Sequence, residues 1–260
     1  MKYRFIDLFA GAGGLSEGFI RAGYEPIAHI EMDHYACDSL KTRAAFHYLK
    51  ENGKLEIYEE YLKNKKEKTD GSWLWNQVPK SVIDSVIQEA IGKETLPSLF
   101  ERVDKLCNGK PVDMIIGGPP CQAYSVAGRA RLGKKIEEDP RNDLYKFYVE
   151  FLKRYKPKMF VFENVLGIFT AKGGEPFRDL IRLVRELDYN IDFREQIASQ
   201  HGVLQKRHRV IIVGWQNKRD TQEDTSYHYP YLLEEQMPYK MMRDLFCDLP
   251  IVKVTPHTGN

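Results

Sequence analysis

The 260 residues predict an α/β fold built on a mostly parallel, doubly wound sheet, and three observations carry that prediction. The chain opens with a β-branched and aromatic run, Tyr3 to Phe9, that passes straight through Gly11, Gly13 and Gly14 into a helical stretch from Leu15 to Arg21. Two later apolar runs, Val112 to Ile116 and Met159 to Phe162, have the length of buried strands and end abruptly, the first at Gly-Gly-Pro-Pro and the second at Glu163. Strand-like and helix-like segments alternate around them, as parallel strands joined by crossover helices require.

A second strand, Pro26 to Ile30, ends at Glu31, and a helix follows from His34 to about Tyr48. Residues from about Glu51 to Asn76 are rich in Lys and Glu and carry no clear period, which predicts a surface excursion. Val82, Ile83, Val86, Ile87, Ala90 and Ile91 recur at helical spacing, as do Leu96, Leu99, Phe100, Val103 and Leu106, so two core-facing amphipathic helices are expected. The stretch from about 51 to 110 thus reads as a polar and helical insertion. Leu144 to Tyr155 and Phe177 to Leu187 read as helices. Asn190 to Ala198 and Val210 to Trp215 read as strands separated by a polar segment containing Gln205, Arg207 and Arg209. No internal repeat is present, and beyond Trp215 the chain is polar and Tyr-rich with no element predicted.

Composition excludes some classes and leaves others open. No apolar run approaches the roughly 20 residues that cross a bilayer. The first strand begins almost at Met1 with no charged leader and cleavage site, so an intracellular, cytoplasmic protein is expected. The four cysteines, Cys37, Cys107, Cys121 and Cys247, lie far apart with no C-x-x-C pair, so free thiols rather than disulfides or a zinc cluster are expected. A net charge of +2 permits a nucleic-acid partner without arguing for one.

The glycine turn is G-x-G-G, with Ser16 where a dinucleotide fold places its third glycine, so the nicotinamide fingerprint is not met. Its glycines admit a ligand close to the backbone, the next helix N-terminus suits a carboxylate, and Glu31, about 20 residues on, suits ribose hydroxyls. A nucleoside bearing an amino-acid carboxylate fits that trio; a tight turn beside a surface glutamate remains the plainer alternative. Cys121 follows Gly-Gly-Pro-Pro at the carboxyl end of a buried strand, where open α/β sheets gather ligands. An isolated cysteine is often an inert core residue, but the prolines stiffen this turn and remove two backbone donors, which favours a site. Glu163 also ends an apolar strand, where low dielectric would raise its pKa and let it donate a proton. Arg207 and Arg209 share a side if extended, with His208 opposite; alone they read as solvated charges.

Taken in order, these stretches resemble the cytosine-C5 DNA methyltransferase family. FIDLFAGAGGLSEGF is similar to its cofactor loop, GGPPCQAYSVAG to its catalytic-cysteine loop, DPRNDL to the following motif, FENV to its acid motif and QKRHR to its Q-x-R-x-R signature. MRDLFCDLP, Met242 to Pro250, is similar to the segment before the family's target-recognition region. The resemblance implies a Rossmann-like, S-adenosylmethionine-dependent fold with a catalytic domain over 1–250, a tail at 251–260 and no target-recognition domain. It implies cofactor contacts from Phe9, Ala10, Gly11, Gly13, Gly14, Leu15, Glu31, Met32, Pro120 and Leu144. Cys121 would be the nucleophile, Glu163 would meet N3 and the amino edge of cytosine, and Arg209 its O2. Gln122, Ser125, Val165 and Arg207 would position double-stranded DNA and the active-site loop. No metal is implied, and a second polypeptide carrying the recognition region and late motifs is expected, as in a two-chain restriction-modification methyltransferase of a prokaryote.

Several departures stand out. Leu204 replaces the usual proline before Gln205, and Tyr124 the usual phenylalanine. The family's acidic adenine-contacting motif finds no place in the expanded stretch before Val112. Gly128 to Asp139, with Arg129, Arg131, Lys134 and Lys135, reads as a basic lid over a flipped base, or else as a solvated loop. A tRNA-acting member of the family, a non-catalytic cofactor-binding subunit and, more remotely, a nicotinamide-dependent oxidoreductase are the rival functions.

Overall fold

The computed structural model describes residues 2–63, 71–120 and 143–217. Seven strands among them form one sheet: β1 (Arg4–Leu8), β2 (Glu25–Glu31), β3 (Val86–Gln88), β4 (Met114–Gly117), β5 (Met159–Asn164), β6 (Tyr189–Ile197) and β7 (His208–Gln216). Their order is β3-β2-β1-β4-β5-β7-β6. β1 pairs in parallel with β2 and β4, β2 with β3 and β4 with β5, whereas β7 runs antiparallel to both neighbours. The mostly parallel sheet expected from the alternating pattern is therefore present.

Eight α-helices flank the sheet among the described residues: α1 (Gly14–Arg21), α2 (His34–Glu51), α3 (Leu55–Lys63), α4 (Ser72–Trp75), α5 (Lys80–Asp84), α6 (Leu96–Cys107), α7 (Leu144–Tyr155) and α8 (Glu175–Glu186). Successive strand residues point to opposite faces, and the packing follows that alternation. Phe5, Met114 and Ile116 face Leu15, Phe19 and Ile20 of α1. Ile6, Leu8, Ile115, Phe160 and Phe162 join Leu99, Val103, Tyr148, Phe151, Leu180 and Val184 of α6, α7 and α8 in the main core. No described helix is long and apolar enough to cross a membrane.

The stretch between α2 and β4 departs from expectation twice. Val82 to Ile91 is not one helix: α5 stops at Asp84, and Val86 and Ile87 enter the sheet opposite His29 and Ile30. Paired apolar residues every four positions suit either element, and the open edge of β2 decides for a β-branched pair. The described parts of the polar excursion also pack more than its composition suggests. Tyr61 of α3, Leu74 of α4 and Val78 form a small second core with Ala45 and Leu49 of α2. Tyrosine and tryptophan bodies supply apolar surface that a count of Lys and Glu hides.

Glu17 ties α1 to α2. Its carboxylate accepts a hydrogen bond from Arg21 Nε at 2.7 Å and one from Arg43 Nη2 at 2.6 Å, and lies 2.9 Å from His47 Nε2. Burial pushes this carboxyl up, but the hydrogen bonds from His47 and Arg21 and the charge of Arg43 outweigh it and hold the group at about 2. A depressed folded pKa means the stabilisation is complete above the ordinary glutamate range and fades as pH falls toward 2. Glu17→Gln is expected to cost about 1–2 kcal/mol at neutral pH. Denaturant unfolding should show the gap between variant and unsubstituted protein narrowing as pH drops through that window.

Candidate active site

The cofactor candidates are built by the ends of β1 and β2. Phe9 leaves β1 with φ 56°, and Gly11 and Gly13 follow at 54° and 83°, all in the left-handed region. Gly13 must lack a side chain on a second count, since a Cβ there would stand 2.9 Å from Leu40 Cδ2. The turn closes through Ala10 N–H to Ile30 O at 3.1 Å and Gly13 N–H to Ala10 O at 3.0 Å, and then enters α1. Glu31, at the end of β2, accepts from Gly11 N–H at 2.8 Å through Oε2, and from Met32 and Asp33 N–H at 2.8 and 2.9 Å through Oε1. One carboxylate therefore staples the glycine turn to the β2–α2 turn, while Asp33 caps α2 by accepting from Ala36 N–H at 2.8 Å.

A cavity of about 610 Å³ opens beside this staple, lined by Phe9, Gly11, Glu31, Met32, Pro120 and Leu144 among others. Those six sequence candidates, drawn from four separate stretches of chain, meet in one cleft. Ala10, Gly13, Gly14 and Leu15 are not in its lining: the first three shape the turn, and Leu15 packs into the α1 face of the sheet. Glu89, directly after β3, lines the cleft as well and was missed because its segment was read as helix. The available signal was an apolar pair followed closely by an acid, as in Ile30-Glu31 and Phe162-Glu163.

Pro120 also belongs to the second half of the site. The two glycines before the prolines have separate steric reasons. A Cβ on Gly117 would fall 2.4 Å from Leu8 O, and one on Gly118 would fall 2.7 Å from Glu163 Oε2. Asn164, buried beside Glu163, donates through Nδ2 to Pro119 O at 3.3 Å and accepts from Val165 N–H at 2.9 Å. It brackets the loop from β5, a role that no local pattern reveals. Glu163 itself does not face a purely apolar wall, because Arg209 Nε lies 2.5 Å from its Oε1 across the β5–β7 pair. Arg209 Nη1 further donates to His208 O at 2.7 Å. His208 turns to Glu195, 2.6 Å away, while Arg207 stands exposed just before β7 and Val165 is half-buried after β5. Cys121, Gln122, Ser125 and the basic stretch Gly128 to Asp139 lie outside the described residues. Of the cysteines that are described, Cys37 is pushed up to about 11, chiefly by burial, and burial likewise raises Cys107, so neither is a ready thiolate.

Gly118→Ala is expected to displace the Glu163 carboxylate or the Pro-Pro loop. Denaturant unfolding should show a loss of about 1–3 kcal/mol, the size expected for overpacking.

Comparison with known proteins gives the chain its family. The family model "C-5 cytosine-specific DNA methylase" matches residues 3–82 and 85–251. The Type II methyltransferase M.Bpa9945I of Bacillus paralicheniformis is 33% identical over 276 residues, covering 95% of this chain and 61% of its own length. M.FnuDI of Fusobacterium nucleatum is 32% identical over 246 residues, covering 95% of this chain and 55% of its own. A crystal structure of an E. coli prophage-encoded protein, described as a DNA modification methyltransferase, superposes with a TM-score of 0.60 at 25% identity over 96% of this chain and 56% of that one. The chain thus spans little more than half the length of the relatives it matches, but the family model covers nearly all of it: it belongs to the C-5 cytosine-specific DNA methylase family.

Proposed function

We propose that this chain carries the chemical centre of a methyltransferase acting on carbon 5 of cytosine in double-stranded DNA, with S-adenosylmethionine as methyl donor. The observation that carries the reading is the position of Pro120. It lines the cleft fitted to a nucleoside and sits on the loop bracketed by Asn164 against Glu163, one residue before Cys121. The cleft suits the cofactor on its own chemistry: Phe9 and Met32 offer walls for a base, Glu31 offers carboxylate oxygens to hydroxyls, and Glu89 adds a further acceptor to the lining. When bound, the cofactor supplies an electrophilic methyl group.

The remaining steps belong to protein residues. Carbon 5 of cytosine is a weak nucleophile until the Cys121 thiolate adds at carbon 6 and turns the ring into an enamine. Glu163 relieves the charge that develops at N3 by hydrogen bonding or proton donation, and Arg209 stabilises O2. The Glu163–Arg209 ion pair keeps both side chains aimed at the same edge before the base arrives. Loss of the carbon 5 proton then expels Cys121. These carbons are shielded within a duplex, so the cytosine must leave the stack, at a cost of a few kcal/mol. Gln122, Ser125, Val165 and Arg207 are assigned to the DNA and the active-site loop. Base reading is assigned to polypeptide outside these 260 residues, and a second chain that supplies it should restore site-specific turnover when added.

The test is methyl transfer from labelled S-adenosylmethionine to duplex DNA and to tRNA, with and without neighbouring gene products. Label appearing as 5-methylcytosine in DNA supports the reading; label confined to tRNA replaces the substrate and keeps the chemistry.

A further inference from the structure

Asp7 and His29 stand opposite each other on β1 and β2, 1% and 4% exposed, with His29 Nδ1 3.6 Å from Asp7 Oδ2. By distance and angle neither Asp7 oxygen nor His29 Nδ1 completes a hydrogen bond among the described residues, although His29 and Ser16 stand close enough to favour the Asp7 carboxylate against its burial. Unpartnered polar atoms in the middle of a sheet are costly, and apolar residues at these two positions would avoid the cost. The position suggests what they do. Two residues further along each strand lie Phe9 and Glu31, which line the same cleft and are joined through the glycine turn. Asp7 and His29 are therefore the last paired side chains on this face before the two strands separate around that cleft.

We propose that Asp7 and His29 act as an electrostatic clasp that holds one proton on one or other side chain across a 3.6 Å contact, a pair of positioning residues that sets the separation of Phe9 and Glu31 and so governs cofactor affinity. The inference rests on the cofactor reading proposed above. With one proton between them the pair is neutral overall and its members attract. A second proton leaves a buried imidazolium facing a neutral acid, and loss of the first proton leaves a buried carboxylate facing a neutral ring. Either change loosens the two strand ends. Burial pushes the Asp7 carboxyl above the usual carboxylate range, so the second proton is taken up at a less acidic pH than an exposed aspartate would need.

The surroundings are specific. Ser16 of α1 is buried nearby and donates to Gly13 O at 3.2 Å, which links the pair's environment to the glycine turn. Phe5 meets the His29 ring edge-on, with centroids 6.2 Å apart. Other ionisable groups around the pair are Glu31 at the end of β2 and, from the opposite face, Tyr148 of α7, while Arg4 of β1, Glu25 of β2 and Arg43 and His47 of α2 line the cavity that His29 borders. Glu17, Arg43 and His47 are engaged with one another, and His29 forms the charge contact to Asp7 at 3.6 Å.

The experiment measures affinity for S-adenosylhomocysteine by calorimetry from about pH 5 to about pH 8, for the protein and for Asp7→Asn, His29→Gln and the double variant. Each single variant should bind about tenfold more weakly at neutral pH. The double variant, which replaces the clasp by an amide pair that holds no titrating proton, should recover most of the affinity and lose the pH dependence. Single variants that bind with unchanged affinity and an unchanged pH profile would overturn the clasp. If the unsubstituted protein fails to bind the probe, that result counts against the cofactor reading. The clasp is then judged by the pH dependence of stability in denaturant, which must differ between the unsubstituted protein and the double variant; an identical dependence overturns it.

Discussion

Cys121→Ala is expected to abolish methyl transfer, by about 10⁴-fold or more, while S-adenosylmethionine affinity stays nearly unchanged. The separation follows from geometry and chemistry together. The cleft is shaped by the ends of β1 and β2, by Pro120 and by Leu144, none of which needs the thiol. Without addition at carbon 6, however, carbon 5 of the base has no means of attacking the methyl group. Calorimetry for the cofactor and label incorporation into DNA should therefore diverge in this variant. Retained turnover would remove Cys121 from its role.

Glu163→Gln should have the next largest effect, a fall in turnover of about 10²- to 10³-fold with cofactor binding preserved. Glutamine keeps the shape and can still offer a hydrogen bond to the base, but it loses the charge that pairs with Arg209. Arg209 would then be held half-buried with no counterion, at a stability cost of about 1–3 kcal/mol. Glu163→Gln combined with Arg209→Met should be more stable than Glu163→Gln alone, since no unpaired charge remains, yet no more active. An activity loss that recovers along with stability in the double variant would mean that the ion pair serves the fold rather than the reaction.

How much of this was legible in the sequence depends on whether a residue's reason is local. The glycine turn, the Gly-Gly-Pro-Pro stop and the acids ending apolar strands are written in consecutive residues, and they identified β1, β4 and β5, while the family resemblance added Phe9, Met32, Pro120 and Leu144 to Gly11 and Glu31 in the cleft. β3 and Glu89 were hidden because the apolar spacing of Val82 to Ile91 suits a helix and only the exposed edge of β2 selects a strand. The packing of α3 and α4 on α2 was hidden by Lys and Glu around aromatic residues. Asn164 reads as an ordinary polar residue until the bracket to Pro119 is seen. Asp7 and His29 acquire meaning only when β1 and β2 are laid side by side in register.

If carbon 5 is activated by a covalent bond between cytosine carbon 6 and Cys121, that bond can be trapped. Duplex DNA containing 5-fluorocytosine halts the reaction after methyl transfer, because fluorine cannot leave as a cation and elimination of the thiolate is blocked. Incubation with such DNA, S-adenosylmethionine and any polypeptide required for base reading, followed by peptide mapping, should recover a methylated nucleotide adduct on the peptide containing Cys121 and none from Cys121→Ala. Steady formation of 5-methylcytosine on ordinary DNA with no trapped adduct, or an adduct on Cys37, Cys107 or Cys247 instead, would contradict the account.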